Sequence, residues 1–504
     1  MREIIFRIII YQIDDFLMDL VNYKLKGVVK VLIGRDKEVA FLEEVTEREE
    51  SQLIAVYGRR RVGKTYLIRE TLKDRFTFQH AGIYGGTRKE QLGAFFTALR
   101  EAGLNGDYPS PQNWFEAFQL LKYLIEQSTR SKKILFIDEL SWMDTPRTDL
   151  IRALEHFWNA WASARNDIVL ILCSSATSWI LKKILHNRGG LYNRLTGQIR
   201  LNPFTLAECK EYAERKKLAF SDMQIMELYM AVGGVPFYWG LMKKGLSVSQ
   251  NIDSLFFAEN APLKHEYEYL LASIFSKPDD YLKIIQALTR RKIGLSRNEI
   301  LEAAGLTGSG VFTQKLEELE NCGFIRSYHA FGKKSKDTLY QLTDPFILFY
   351  HHFLREKPQD PFFWSHQINT PAVNAWEGLA FEMLCLLHIQ QIRSALGITG
   401  VLTEVASFSC RADPENGILG SQIDLVIRRA DHTVNLLEMK YARGSYVMTK
   451  SGYMDLRRKA DDFVRATKTR DAIHLTMVTP YGLAWNEYAG EIQSQITAED
   501  LMKE

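Results

Sequence analysis

Cysteine pairs, histidine clusters and long apolar runs are what this chain lacks. Its five cysteines, Cys173, Cys209, Cys322, Cys385 and Cys410, are widely scattered and form no C-x-x-C pair. That excludes a zinc ribbon and a dithiol redox centre, and an odd, unpaired set reads as the reduced thiols of a cytoplasmic protein. The eleven histidines show no H-E-x-x-H or H-x-x-x-H spacing, so no helical metal pair is expected. The apolar run after Met1 is broken by Glu3, Arg7 and Asp14, too short and too charged for a membrane helix or a signal segment. Residues 1–30 read as a lead-in, and no membrane partner is expected. Charge of one sign is lacking as well. A net +3 is too small to imply a nucleic-acid partner by itself, so local patches would have to carry that case.

What is there is an ordinary globular composition, 46% hydrophobic and 25% charged. A chain of 504 residues is too long for one core and is expected to divide into two to four domains. From 31 to 204, short apolar runs alternate with amphipathic stretches, the signature of a parallel sheet covered by helices. The runs are Leu53–Tyr57, Thr77–Ile83, Ile134–Ile137, Ile168–Cys173 and Ile199–Leu201. Residues 205–277 read as helical, 278–355 as three helices and a hairpin, and 356–371, with three prolines, as a linker. From 372 to 504, helix gives way to strands and then to helix again.

The first chemical motif is Gly58-Arg59-Arg60-Arg61-Val62-Gly63-Lys64-Thr65, which fits G-x-x-x-x-G-K-[ST]. It follows an apolar strand and opens an amphipathic helix, the context such a phosphate loop requires. Its glycines let backbone N–H groups approach phosphates, and the helix N-terminus adds partial positive charge. Lys64 is expected on the β- and γ-phosphates of ATP, the Thr65 hydroxyl on Mg²⁺, and Tyr66 beside the bound nucleotide. The partner motif, Ile134 to Glu139, is an apolar strand ending in two carboxylates at the edge where open α/β sheets bind ligands. Asp138 is placed to hold the Mg²⁺ water shell, and Glu139 to orient or deprotonate the attacking water. A whole strand-plus-helices segment separates the motifs, so another strand is expected between theirs in the sheet.

That arrangement resembles the AAA+ branch of P-loop ATPases more than a kinase or a small GTPase. Ile33-Gly34-Arg35 with Glu38, followed by the loop, resembles the opening of the archaeal-type, STAND-related ATPase family. The resemblance implies that Gly34 and Arg35 lie near adenine and that Ser174-Ser175 act as a polar sensor. It also implies that Arg194 serves as an arginine finger, within or between subunits of a homo-oligomer. Gly233-Gly234-Val235-Pro236 matches the family's helical-lid motif.

Two later blocks carry further signals. Asp279–Ala287, Ser296–Ala304 and Gly310–Cys322 read as helices, with Ser296 and Glu299 as a capping box. Strands Ile325–His329 and Thr338–Leu342 would flank a wing holding Lys333, Lys334 and Lys336. This resembles a winged helix that binds DNA phosphates. The third helix carries more acid than base, however, which equally suits an intramolecular packing module. Further on, Asp424 and Glu438 fall opposite each other in a hairpin centred near Asp431, with Lys440 on the same face. Together with Glu382 on an upstream helix they resemble a PD-(D/E)xK nuclease, with Glu382, Asp424 and Glu438 as Mg²⁺ ligands and Lys440 as a catalytic cation. Arg457, Arg458 and Lys459 would grip a phosphate backbone or form a solvated face.

The expected fold class is thus α/β: an AAA+-like P-loop sheet, a helical lid, a winged helix and a nuclease-like α/β domain. The expected activity is Mg²⁺-dependent ATP hydrolysis coupled to binding or cleavage of DNA. The alternative is a nucleotide-switch scaffold that uses its C-terminal blocks for protein contacts. Salt-sensitive DNA binding separates the two.

Overall fold

Five short runs make the first sheet: β1 (Gln52–Tyr57), β2 (Phe76–Ala81), β3 (Lys133–Asp138), β4 (Ile168–Ser174) and β5 (Gly197–Arg200). Every residue of β1 and β4 is buried, because a parallel strand covered on both faces has no solvent side. The computed structural model describes residues 32–186, 189–191, 193–275, 277–332 and 338–503. The lead-in at 1–30 and the wing lysines Lys333, Lys334 and Lys336 lie outside the described residues.

All neighbours in this sheet pair in parallel, in the order β2-β3-β4-β1-β5. The strand expected between the two motif strands is therefore β4. Separate apolar cores cover the two faces, one built around Phe95, Trp114 and Phe157, the other around Val56, Ile68 and Phe136. Strand β2 stops at Ala81, short of the expected Ile83, where Gly82 turns away and its N–H donates to the Asp138 carbonyl.

Beyond the sheet the chain is helical to Ile274, as its sequence implies. Helices Leu206–Arg215 and Asp222–Val232 each begin in a capping box, Thr205 with Glu208 and Ser221 with Gln224. Next come helices Asp279–Leu288, Arg297–Ala304 and Gly310–Asn321 with a small antiparallel sheet. Its strands β6 (Leu295–Ser296), β7 (Ile325–His329) and β8 (Thr338–Leu342) run in the order β6-β8-β7. The expected box of Ser296 with Glu299 is present.

The expected linker is a packed segment instead. Phe363–Gln367 form a short helix, held when the Asp253 carboxylate accepts from the N–H groups of Trp364 and Ser365. The Trp364 ring is buried edge-on against Phe349 and Trp376. Burying a side chain of that size stabilises by roughly 1.5–3 kcal/mol, a contribution a free linker does not make. Proline at 371 then opens the helix Pro371–Leu387 rather than ending a loop.

The last sheet is mixed, with strands β9 (Thr403–Cys410), β10 (Ser421–Arg429), β11 (Thr433–Met439), β13 (Ala472–Val478) and β15 (Ser494–Ile496). A two-residue pair, β12 (Tyr446–Val447) with β14 (Leu483–Ala484), stands beside it. The order β15-β13-β11-β10-β9 combines an antiparallel meander with two parallel additions, and helix Lys450–Thr467 packs on β9, β10 and β13. One apolar core runs without a break from Ile33 through the helical and three-helix blocks to Met502.

Candidate active site

The phosphate loop turns from β1 into the helix Lys64–Leu72. Gly58 has φ +148°, and a side chain there would strike the Leu201 carbonyl. Gly63 stands at the helix N-cap with φ +90°, and no side chain caps the helix. An uncapped N-terminus leaves N–H groups directed at whatever enters the loop.

Around that opening the motif residues bond to one another. Lys64 is buried, and its Nζ donates to the carbonyls of Gly58 and Arg59 at 3.1 Å each and to Ser175 Oγ at 3.0 Å. Ser175 in turn donates its hydroxyl to Glu139 Oε1 at 2.6 Å and its backbone N–H to Oε2 at 3.1 Å. Thr65 Oγ1 donates to Asp138 Oδ2 at 2.6 Å, and the Glu139 N–H donates to Oδ1 at 2.9 Å. Ser174 stands behind this set, bonded to Ser141 Oγ and to the Ala176 N–H.

Glu139 holds a left-handed backbone, φ 44° and ψ 45°, unusual for a non-glycine residue and common where strain serves a site. Burial pushes its carboxyl above the usual range and Asp138 adds to that, against the pull of Lys64 and Ser175. A carboxyl shifted this way is a stronger base than an ordinary carboxylate. The residues fit Mg·ATP: a buried cation satisfied only by neutral oxygens, a hydroxyl–carboxylate pair for a cation, and an uncapped helix end for phosphate.

Other expected residues lie further out. Arg35 donates to the Asn202 carbonyl at 2.8 Å, pairs with Glu208 at 3.4 Å and lies over the Phe204 ring. The left-handed Gly34 packs against that same Glu208. Tyr66 is half-buried beside Glu70 and Tyr212. Arg194 is exposed in the turn before β5, outside the described hydrogen-bond network of the loop. Val62 is buried in the core beneath the sheet. The side chains of Arg59, Arg60 and Arg61 leave the loop altogether, toward Asp344, Trp142 and Glu266 respectively.

The carboxylate–lysine cluster is a second grouping. The β10–β11 register pairs Leu425 with Leu437, so Asp424 faces Glu438 as the hairpin symmetry implies. Strand β11 ends at Met439, so Lys440 stands just past it, its Nζ 2.8 Å from Glu438 Oε1. Lys459 Nζ lies 2.9 Å from both Glu438 oxygens. Lys292, from the turn between helix Asp279–Leu288 and β6, inserts its ammonium 2.5 Å from the Glu382 carboxylate and 3.1 Å from Asp424 Oδ1. Burial pushes Glu382 up to about 7, with Asp424 adding and Lys292 opposing.

Here the expected set needs a correction. Among the described residues no three His, Cys, Asp or Glu side chains are grouped as a metal site requires. Each of Glu382, Asp424 and Glu438 is ion-paired with a lysine instead. The arrangement does not fit a bound cation as it stands. Lys292 had no motif to announce it, and Lys459, expected in a phosphate grip or a solvated face, is turned onto Glu438 instead; only the fold brings them to these carboxylates. Of the expected phosphate grip, Arg458 is paired with Asp455 and Asp462, and Arg457 is exposed.

Residues 32–240 match the family described as an ATPase domain predominantly from Archaea. The chain is 23% identical over 436 residues to the uncharacterized protein MJECL04 of Methanocaldococcus jannaschii, covering 85% of this chain and 92% of that one. It is 43% identical over 49 residues to the uncharacterized ATP-binding protein MJ0423 of the same organism, 10% of this chain and 81% of that one. Among solved structures it is similar to the Walker-type ATPase PABY2304 of Pyrococcus abyssi, at 20% identity and a TM-score of 0.45, covering 63% of this chain and 95% of that one. No helix among the described residues is long and apolar enough to cross a membrane. Residues 32–240 belong to the family of ATPase domains found predominantly in Archaea.

Proposed function

We propose that this chain hydrolyses ATP with Mg²⁺ in an ATPase core at 31–204 under a helical lid at 205–277, and couples that reaction to its C-terminal blocks. The observation that carries this reading is the closed network Lys64–Ser175–Glu139 beside the Thr65–Asp138 pair, at the C-terminal edge of a parallel sheet. Lys64 exchanges its carbonyl partners for the β- and γ-phosphates. Glu139 orients the attacking water and takes its proton, and Ser175 holds that carboxylate while sensing the γ-phosphate. Thr65 and Asp138 would hold Mg²⁺, which when bound would neutralise phosphate charge. Gly34, Arg35 and Tyr66 flank the nucleotide base, and Arg194 acts as a finger within or between subunits of a homo-oligomer.

We further read 278–355 as a winged helix and 372–504 as a PD-(D/E)xK nuclease-like domain directed at DNA, with 356–371 joining them. Support comes from the helix–meander–helix–strand order of the last block and from Glu382, Asp424, Glu438 and Lys440 meeting on one patch. Lys292 closes that patch in this conformation and must leave before it acts. A protein-contact switch is the second reading, favoured by one observation. Lys315 of helix Gly310–Asn321 is tied to Asp280, while Gln314 and Glu317 are exposed, a poor face for phosphates.

The test is cleavage of labelled single- and double-stranded DNA in Mg²⁺ or Mn²⁺, with and without ATP, beside Asp424→Ala and Lys440→Ala. Cleavage lost in both variants supports the nuclease reading. No cleavage by an active ATPase supports the switch.

A further inference from the structure

The three arginines between Gly58 and Gly63 reach three different parts of the molecule. The Arg59 guanidinium is buried, pairs with Asp344 and stacks over Phe324 at 5.2 Å. Asp344 is itself buried and caps the helix Pro345–Phe349 by accepting from the Ile347 N–H at 2.9 Å. Arg60 lies over the Trp142 ring at 5.8 Å, just past Glu139. Arg61, left-handed at φ 69°, pairs with the buried Glu266 at 2.7 Å and lies over Phe237 at 4.3 Å. Its carbonyl accepts from the Phe237 N–H, and Glu266 also accepts from the Tyr238 hydroxyl at 2.8 Å.

A phosphate loop works through its backbone, so its intervening side chains are free to serve elsewhere. Here the same residue does both. The Arg59 carbonyl accepts from Lys64 Nζ at 3.1 Å, while its guanidinium sits in the pair with Asp344. A shift of Asp344 therefore acts on the residue whose carbonyl is a partner of Lys64. In the same way Glu266 and Phe237 grip Arg61, two residues ahead of Gly63. Breaking either pair strands a buried charge, a costly state, so the loop and the two blocks change together.

We propose that Arg59 and Arg61 are positioning residues for ATP hydrolysis, which hold the loop competent only while the Glu266 and Asp344 segments are seated against it. Bound nucleotide, by reshaping the loop, in turn loosens or tightens that seating. The inference rests on the ATP-site reading above and extends it to how the site communicates with the rest of the chain.

The test uses the full chain. Steady-state ATPase assays compare wild type with Asp344→Asn, Glu266→Gln and the charge-free double variant Arg61→Gln/Glu266→Gln. Amide exchange is followed with and without a non-hydrolysable ATP analogue. The expected result is a kcat lowered about tenfold with KM for ATP changed less than about threefold, since positioning acts on the transition state. Arg61→Lys, which keeps the charge, recovers part of that loss. In wild type the analogue changes exchange at 235–238 and 345–349, and the charge-free variant loses the change at 235–238. Wild-type kcat in folded variants overturns the proposal. So does an analogue that leaves exchange at both wild-type segments unchanged, a result that needs no variant to fold. Lys64→Ala separates the two readings: surviving turnover in that variant removes the ATP site itself, not only its coupling.

Discussion

The phosphate loop and the carboxylate–lysine cluster are both polar sites beside a sheet, and they satisfy their charges in opposite ways. At the loop, Lys64, Thr65, Asp138, Glu139 and Ser175 bond to one another, and they come from the first turn of the helix after β1 and from the ends of β3 and β4, all at one edge of one sheet. At the cluster, the carboxylates of Glu382, Asp424 and Glu438 are met by lysines from three places, of which Lys292 belongs to another block. A site closed by its own motif is preorganised for a ligand that brings phosphate and cation together. A site closed by a borrowed lysine waits on the movement of that lysine.

The difference can be broken from either side. The largest effect is expected at the loop. Lys64→Ala removes the cation that spans the Gly58 and Arg59 carbonyls and Ser175, and is expected to abolish ATP binding. Equilibrium titration with a fluorescent ATP analogue checks this, and unchanged affinity counts against the assignment. A smaller effect is expected at the cluster. Lys292→Ala leaves Glu382 and Asp424 without their shared ammonium, so Mn²⁺ affinity measured by calorimetry is expected to rise about tenfold, the usual scale for one charge at a partly buried site. No change would mean that the lysine is a structural pin, not a gate.

An effect on stability rather than on a ligand concerns the joint between the two regions. His388 Nε2 accepts from the Leu206 N–H at 3.0 Å, while its Nδ1 is 2.8 Å from the Leu384 carbonyl, tying the last block to the helical one. Burial pushes this imidazole down to about 4, so it folds neutral. The unfolded chain takes up the proton near pH 6.5. Stability is therefore full above about 6.5 and falls as pH drops toward about 4, by about 1–3 kcal/mol in all. Thermal melts from pH 7 to 4.5 follow it, and His388→Gln is expected to flatten the slope. His80 and His351, also pushed to about 4 by burial, account for slope that remains.

The same contrast explains what could be read from sequence. The loop motif, the strand ending in Asp138-Glu139 and the polar Ser174-Ser175 are contiguous, so their spacing carries their geometry. The hairpin centre near Asp431 likewise sets Asp424 against Glu438, because an antiparallel register follows from the turn alone. Neither Lys292 at Glu382 nor Asp344 at Arg59 could be read that way. Such pairs depend on how separate blocks dock, and no local pattern records docking. The 356–371 segment differs for another reason: its prolines suggest a linker, but Trp364 finds a pocket made by Phe349, Phe353 and Trp376 of the flanking helical segments, a packing that turn residues do not record.

The central claim is that Glu139, not merely the loop, makes this an ATPase. The direct measurement is Mg²⁺-dependent phosphate release by wild type and Glu139→Gln, with the ATP dissociation constant of each. Wild-type turnover, with affinity preserved but turnover lost by about 10²-fold or more in Glu139→Gln, is the result expected of a general base. Equal turnover in the two proteins, or none in either, would contradict the account.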